Sequence, residues 1–199
     1  MIFKTIEKFA IICIAVMCSG QAPPQSPLVR AFGDNEYWIV AEDMKWVIGN
    51  TQAEMKVPKG FVTDFASIPK ALWSFGLSPH GNYSRAAVVH DYLYWTQRCT
   101  RDQADRLLVI AMKESGVGGF DEFVIYQGVD RAGGSAWKDN AKEAVAGLPR
   151  FVPEKYLQPA DPNVKWAPYR AMLVKEGVMD PKLTQDPTYC AYGNDTKVP

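Results

Sequence analysis

Ala86-Ala87-Val88-Val89-His90-Asp91-Tyr92-Leu93-Tyr94 is followed, after a short link, by Thr100-Arg101-Asp102-Gln103-Ala104-Asp105. The first stretch sets a His-Asp pair inside an otherwise apolar helix, and the second puts Asp105 on the apolar stripe of the next helix. Burying an imidazole and two carboxylates is costly unless each is paired, hydrogen-bonded or metal-bound. The chain has only two histidines. Residues three and four apart are neighbours on a helix, so Tyr83, Ala86, Ala87, His90, Leu93 and Tyr94 share a face. Asp91 sits about a hundred degrees round. Asp105 is flanked at helical spacing by Leu108, Val109 and Met112. The short link from Trp95 to Thr100 makes the two helices antiparallel neighbours, so His90 and Asp105 can face each other. A carboxylate on one imidazole nitrogen fixes the tautomer and aims the other nitrogen at a proton. The same pair can equally be a buried structural lock on the hairpin.

Outward from the hairpin, the pattern is strands and then helices. Tyr37-Trp38-Ile39-Val40, Lys45-Trp46-Val47-Ile48 and Glu54-Met55-Lys56-Val57 are short, β-branched and aromatic, with turn residues between them. They read as a small antiparallel meander. The first helix opens at Tyr83 or Ser84 and runs to about Trp95. Thr100 and Gln103 form a capping box for the second, which runs to about Ser115. A third is expected from Asp121 to Arg131, stopped by Gly133-Gly134, and a last one from Trp166 to Glu176. The fold class is α+β: a small antiparallel β-meander followed by a helical hairpin and further helices. A Pro-rich linker at 23–36, a core domain at 37–137 and a C-terminal extension at 138–199 wrapping its surface complete the expected organisation.

Lys4 and Lys8 precede an apolar run from Phe9 to Cys18, about ten residues and too short to span a bilayer. Residues 1–22 therefore read as a signal peptide, cut after Gly20 or Ala22, and the protein as exported, periplasmic or secreted. A lipoprotein anchored through Cys18 and an uncleaved anchor are the rival readings. No later segment is apolar enough for a transmembrane span. Export leaves Cys99 and Cys190 to form one disulfide. The chain carries 22 basic and 22 acidic residues, and removing Lys4, Lys8 and Glu7 leaves 20 and 21. That balance argues against a nucleic-acid partner.

Two resemblances follow from the motifs. Val57-Pro58-Lys59-Gly60-Phe61-Val62-Thr63-Asp64-Phe65-Ala66-Ser67-Ile68-Pro69, the His90 helix and Arg101-Asp102-Gln103-Ala104-Asp105 resemble an uncharacterised family of phage and bacterial proteins with no assigned activity. That likeness runs from about Trp38 to Trp137. The His-Asp-x-x-Tyr helix, followed by a helix bearing an Asp, is similar to the catalytic hairpin of secreted phospholipase A2, especially the small bacterial type. The glycine-and-cysteine calcium loop of the animal enzymes is missing. The resemblance implies that His90 is a general base for water, Asp105 its orienting carboxylate and Tyr94 a supporting hydroxyl. It also implies calcium bound by Asp91, by Asp64 and by the carbonyl of Phe65. Calcium takes six to eight oxygens, so carboxylates and loop backbone suit it, and the ion would polarise an ester carbonyl.

The remaining polar residues carry less. His80 lies in a turn, and metal phosphohydrolases marked by a His-Asp doublet need further histidines. Ser67 has no Gly-x-Ser-x-Gly around it and reads as a loop stop. Trp73, Phe75 and Leu77 read as core or as a membrane-facing rim. Arg131 reads as a surface arginine able to hold a phosphate. Lys70 and Arg85 are the expected ion-pair partners of Asp64 and Asp91 if no cation joins them. Two classes of function remain. One is an exported cell-envelope hydrolase, calcium-dependent and acting on a lipid ester or on another envelope substrate. The other is a non-catalytic exported or phage-derived binding module.

Overall fold

A computed structural model describes residues 26–49, 51–65, 81–159, 161–184 and 187–199. The expected signal peptide, Cys18, Ser67, Lys70, the Trp73 cluster and His80 lie outside the described residues. The fold is α+β. Five short strands, β1 (Val29–Ala31), β2 (Trp38–Val40), β3 (Met44–Val47), β4 (Glu54–Val57) and β5 (Val62–Thr63), precede helices α1 (Ser84–Thr96), α2 (Arg101–Glu114), α3 (Gly119–Val145) and α4 (Trp166–Lys175).

The strands divide between two small antiparallel sheets instead of forming one continuous meander. One has the order β1-β2-β5, and the other is the β3-β4 hairpin. β2 is flanked on one side by β1, in register Arg30 with Ile39, and on the other by β5, Ile39 with Val62. Its edges are thereby filled and β3 is left to pair with β4. β1 comes from the Pro-rich segment that composition alone reads as linker.

Helix α1 is buried nearly all round, from Ala86 to Trp95 without a break. A helix apolar on every side belongs at the centre of a fold, and each fully buried large apolar side chain contributes about 1.5–3 kcal/mol. Gln97 takes a left-handed conformation and donates its N–H to the Leu93 carbonyl, ending α1. Thr100 and Gln103 exchange the two bonds of a capping box and start α2. Cys99 and Cys190 are joined, with their Cα atoms 5.4 Å apart, so the turn between the helices is bonded to the C-terminal segment. At the other end of α2, Glu114 accepts from the Trp46 indole and from the Gly49 N–H, both at 2.6 Å.

Helix α3 differs most from expectation. It passes straight through Gly133-Gly134 to Val145 and across the expected boundary at 137/138. Glycine is required at 133 inside this helix because a Cβ there would collide with the Tyr94 hydroxyl. The glycine allows close approach of α3 to α1 rather than ending a helix.

Beyond α3 the chain returns to the first sheet. Val62 donates to the Arg150 carbonyl, Val152 to that of Gly60, and Phe61 bridges Phe151. Gly60 has φ +90°, and any side chain there would strike the Val152 carbonyl. Asp180 fixes this segment to α1: Oδ1 accepts from the Arg150 and Phe151 N–H groups, and Oδ2 accepts from the Trp95 indole at 2.6 Å. Among the described residues no helix is long and apolar enough to cross a membrane.

Candidate functional site

The helical hairpin brings His90 and Asp105 together as its spacing predicts. His90 Nε2 lies 2.8 Å from Asp105 Oδ1, and both residues are 3% exposed. Tyr94, one turn beyond His90 on the same face, donates its hydroxyl to the same oxygen at 2.6 Å. Asp105 Oδ2 faces the Arg101 guanidinium at 3.5 Å. Burial, with the Asp105 carboxylate beside it, pushes the Tyr94 phenol far above its usual pKa, so it remains a donor. An ionised carboxylate only accepts. Asp105 therefore requires the proton of His90 on Nε2, which leaves the lone pair on Nδ1. Among the described residues the His90 ring makes no other hydrogen bond.

Asp91 and Asp64 meet on a neighbouring wall. Asp91 Oδ2 accepts from the Thr63 hydroxyl at 2.5 Å and from the Asp64 N–H at 3.1 Å. Thr63 Oγ1 in turn accepts from the Phe65 N–H at 3.0 Å, with Phe65 held at φ +57°. The Phe65 ring stands edge-on to Trp38 in the core. Burial raises the Asp91 pKa well above the carboxylate range, and the Asp64 charge raises it further.

Among the described residues, a positive group beside these carboxylates is Arg150, from the C-terminal segment. Its Nη2 lies 3.8 Å from Asp64 Oδ1, and its Nε donates to the Val62 carbonyl at 2.8 Å. Arg85 instead donates to the Lys45 carbonyl. The sequence gives no local sign of Arg150, which lies more than fifty residues from either motif. Asp180 and Thr63 are likewise residues that sequence reasoning passes over.

The two groups share a cavity of about 550 Å³. Among the described residues its polar wall holds Asp64, His90, Asp91, Tyr94, Arg131 and Arg150. Its apolar wall is the α3 face of Phe123, Val124, Val129, Ala132 and Ala136. Phe123 is also half exposed at the surface. The helix that carries this apolar face is the one brought against Tyr94 by Gly133.

The fit to calcium is partial. Asp64 and Asp91 contribute carboxylates to one wall. Yet one Asp91 oxygen is already taken by two donors, and a guanidinium stands beside Asp64. Among the described residues no three His, Cys, Asp or Glu side chains gather into a metal-holding group.

Fold and cavity together define an α+β domain with a His-Asp pair buried on a helical hairpin at the edge of an amphipathic pocket. Residues 38–129 match a family described as "Protein of unknown function (DUF1353)". The chain is also similar to "Uncharacterized protein y4jT" of Sinorhizobium fredii (strain NBRC 101917 / NGR234), with 36% identity over 74 residues. That stretch covers 37% of this chain and 22% of the relative's length. No solved structure matches the chain. The family match takes in Asp64, His90, Asp91, Tyr94 and Asp105 and leaves out Arg150 and Asp180. Neither match carries a resemblance to phospholipase A2.

Proposed function

We infer that this protein is an exported hydrolase of the cell envelope that cleaves a lipid-type ester, with His90 as general base. The observation that carries the reading is the 2.8 Å bond from His90 Nε2 to a buried carboxylate beside a cavity. Nδ1 takes a proton from water as the water oxygen bonds to the ester carbonyl carbon. Asp105 stabilises the imidazolium that forms, and Tyr94 holds Asp105 in place. The proton then passes to the leaving oxygen as the carbon–oxygen bond breaks, giving an acid and an alcohol. The apolar α3 wall suits an acyl chain, and the Cys99–Cys190 bond suits an oxidising compartment.

The test is hydrolysis of a monomeric short-chain ester, such as dihexanoyl phosphatidylcholine, by the full chain. His90→Ala is expected to lose about 10²-fold or more in rate while remaining folded at the assay temperature. Equal turnover by the wild type and the variant, or no turnover across a panel of short-chain phospholipids and neutral esters, would favour a non-catalytic module.

One observation favours calcium as a further component: Asp64 and Asp91 are in contact at the cavity. Bound there, the ion would supply charge for a developing oxyanion. Millimolar calcium should then raise the melting temperature by mass action, and Asp91→Asn should abolish the rise. Unchanged melting in both proteins would remove calcium from the account.

A further inference from the structure

Arg150 is 7% exposed, yet its guanidinium has only part of its hydrogen-bonding capacity used. Nε donates to the Val62 carbonyl. The Asp64 carboxylate, at 3.8 Å from Nη2, is too distant for a hydrogen bond. Among the described residues the four N–H groups of Nη1 and Nη2 have no acceptor. The plane of the group is fixed from several directions. Its carbon lies 5.6 Å from the centres of both the Tyr37 and Trp95 rings. Asp180 holds the Arg150 backbone and the Trp95 indole with its two oxygens. The fork that remains lines the cavity with His90. The Nη1 and Nη2 groups open onto the cavity, and a planar fork matches the two oxygens of a phosphate or carboxylate.

The surroundings suit an anion better than two nearby aspartates suggest. One oxygen of Asp91 is already engaged by the Thr63 hydroxyl and the Asp64 N–H, so that carboxyl is turned to its own loop. Arg131 adds a second cation to the cavity lining.

We propose that Arg150 forms an anion subsite in the cavity, taking the phosphate-type oxyanion of a ligand whose apolar chain lies along α3. The proposal deepens the hydrolase reading and rests on it for calling that ligand a substrate. The shared chemistry is a phosphate oxyanion, from an alkyl- or acyl-bearing phosphate or from free phosphate.

Calorimetry on the full chain at fixed ionic strength tests it with hexyl phosphate, inorganic phosphate and hexanol. Hexyl phosphate should bind at least about tenfold tighter than hexanol, because charged hydrogen bonds distinguish the two. It should also bind tighter than inorganic phosphate, which lacks the chain. Arg150→Gln should weaken both phosphates about tenfold or more and leave hexanol unchanged. Arg150→Lys keeps the charge and loses the fork, so it should bind hexyl phosphate several-fold more weakly, and it serves if the Gln variant does not fold. Inorganic phosphate binding as tightly as hexyl phosphate would overturn the apolar-chain half of the proposal. Hexyl phosphate binding no tighter than hexanol, or equally to the wild type and a folded Arg150 variant, would overturn the subsite. Arg150-dependent binding without any His90-dependent hydrolysis would sink the hydrolase reading and leave the subsite standing. Hydrolysis without phosphate selection would do the reverse.

Discussion

Two carboxylates are buried on the same hairpin and are accommodated in opposite ways. Asp105 is held by residues close in sequence: His90, Tyr94 and Arg101 all lie within the hairpin. Asp91 is held by residues distant in sequence, Thr63 and Asp64 before it, with Arg150 far beyond. The first arrangement stabilises an ionised carboxylate and keeps a base beside it. The second buries a carboxyl whose proton is hard to remove, with an arginine fork that is only partly used. A local network can rigidify a catalytic pair, whereas a network assembled across the fold can complete the pocket only once the whole chain has folded.

The largest effect expected from this contrast is at Asp105. Asp105→Ala removes the acceptor shared by His90 and Tyr94 and one of the partners of Arg101, which should cost about 3–5 kcal/mol. Chemical denaturation would read this, and a loss below about 1 kcal/mol would place the network among near-neutral contacts.

Asp91 should respond to pH in the opposite sense to an ion-paired carboxylate. Its native pKa is raised by burial and by Asp64, so the folded state binds the proton more tightly than the unfolded chain. That contribution is complete below the ordinary carboxylate value and is lost as pH rises through the raised native value. Asp91→Asn mimics the protonated form. It should match the wild type in acid and exceed it at about pH 8 by about 1–3 kcal/mol. A variant less stable than the wild type at both ends would show that Asp91 is held as an anion.

The smallest effect concerns how α3 closes the pocket. Gly133→Ala should cost about 1–3 kcal/mol through its clash with the Tyr94 hydroxyl. Adding Tyr94→Phe should recover part of that cost, because the colliding atom is gone. A purely additive double mutant would contradict the close-approach account of Gly133.

What could be read in the sequence follows the same division. His90 and Asp105 were legible because helical spacing and a short link fix their meeting, and the capping box marks where α2 begins; spacing put Tyr94 on the face of His90 but did not give its bond to Asp105. The disulfide followed from assigning Cys13 and Cys18 to the signal region, which leaves two cysteines. The place of α3 was misread because Gly133-Gly134 is equally a stop signal and a close-packing device, and only the position of Tyr94 decides between them. The split of the strands into two sheets depended on β1, hidden in a Pro-rich segment, filling one edge of β2. Arg150, Asp180 and Thr63 carry no periodicity or spacing that ties them to His90. Their contribution comes from the C-terminal segment folding back on β5 and from the turn after it.

The tautomer of His90 tests the central claim most directly. Long-range nitrogen–proton NMR correlations on the histidine-labelled full chain would assign its two ring nitrogens at neutral pH. The expected result is a proton on Nε2, facing Asp105, and a lone pair on Nδ1. A proton resting on Nδ1 with Nε2 bare would contradict it, because His90 would then have no base to offer the cavity.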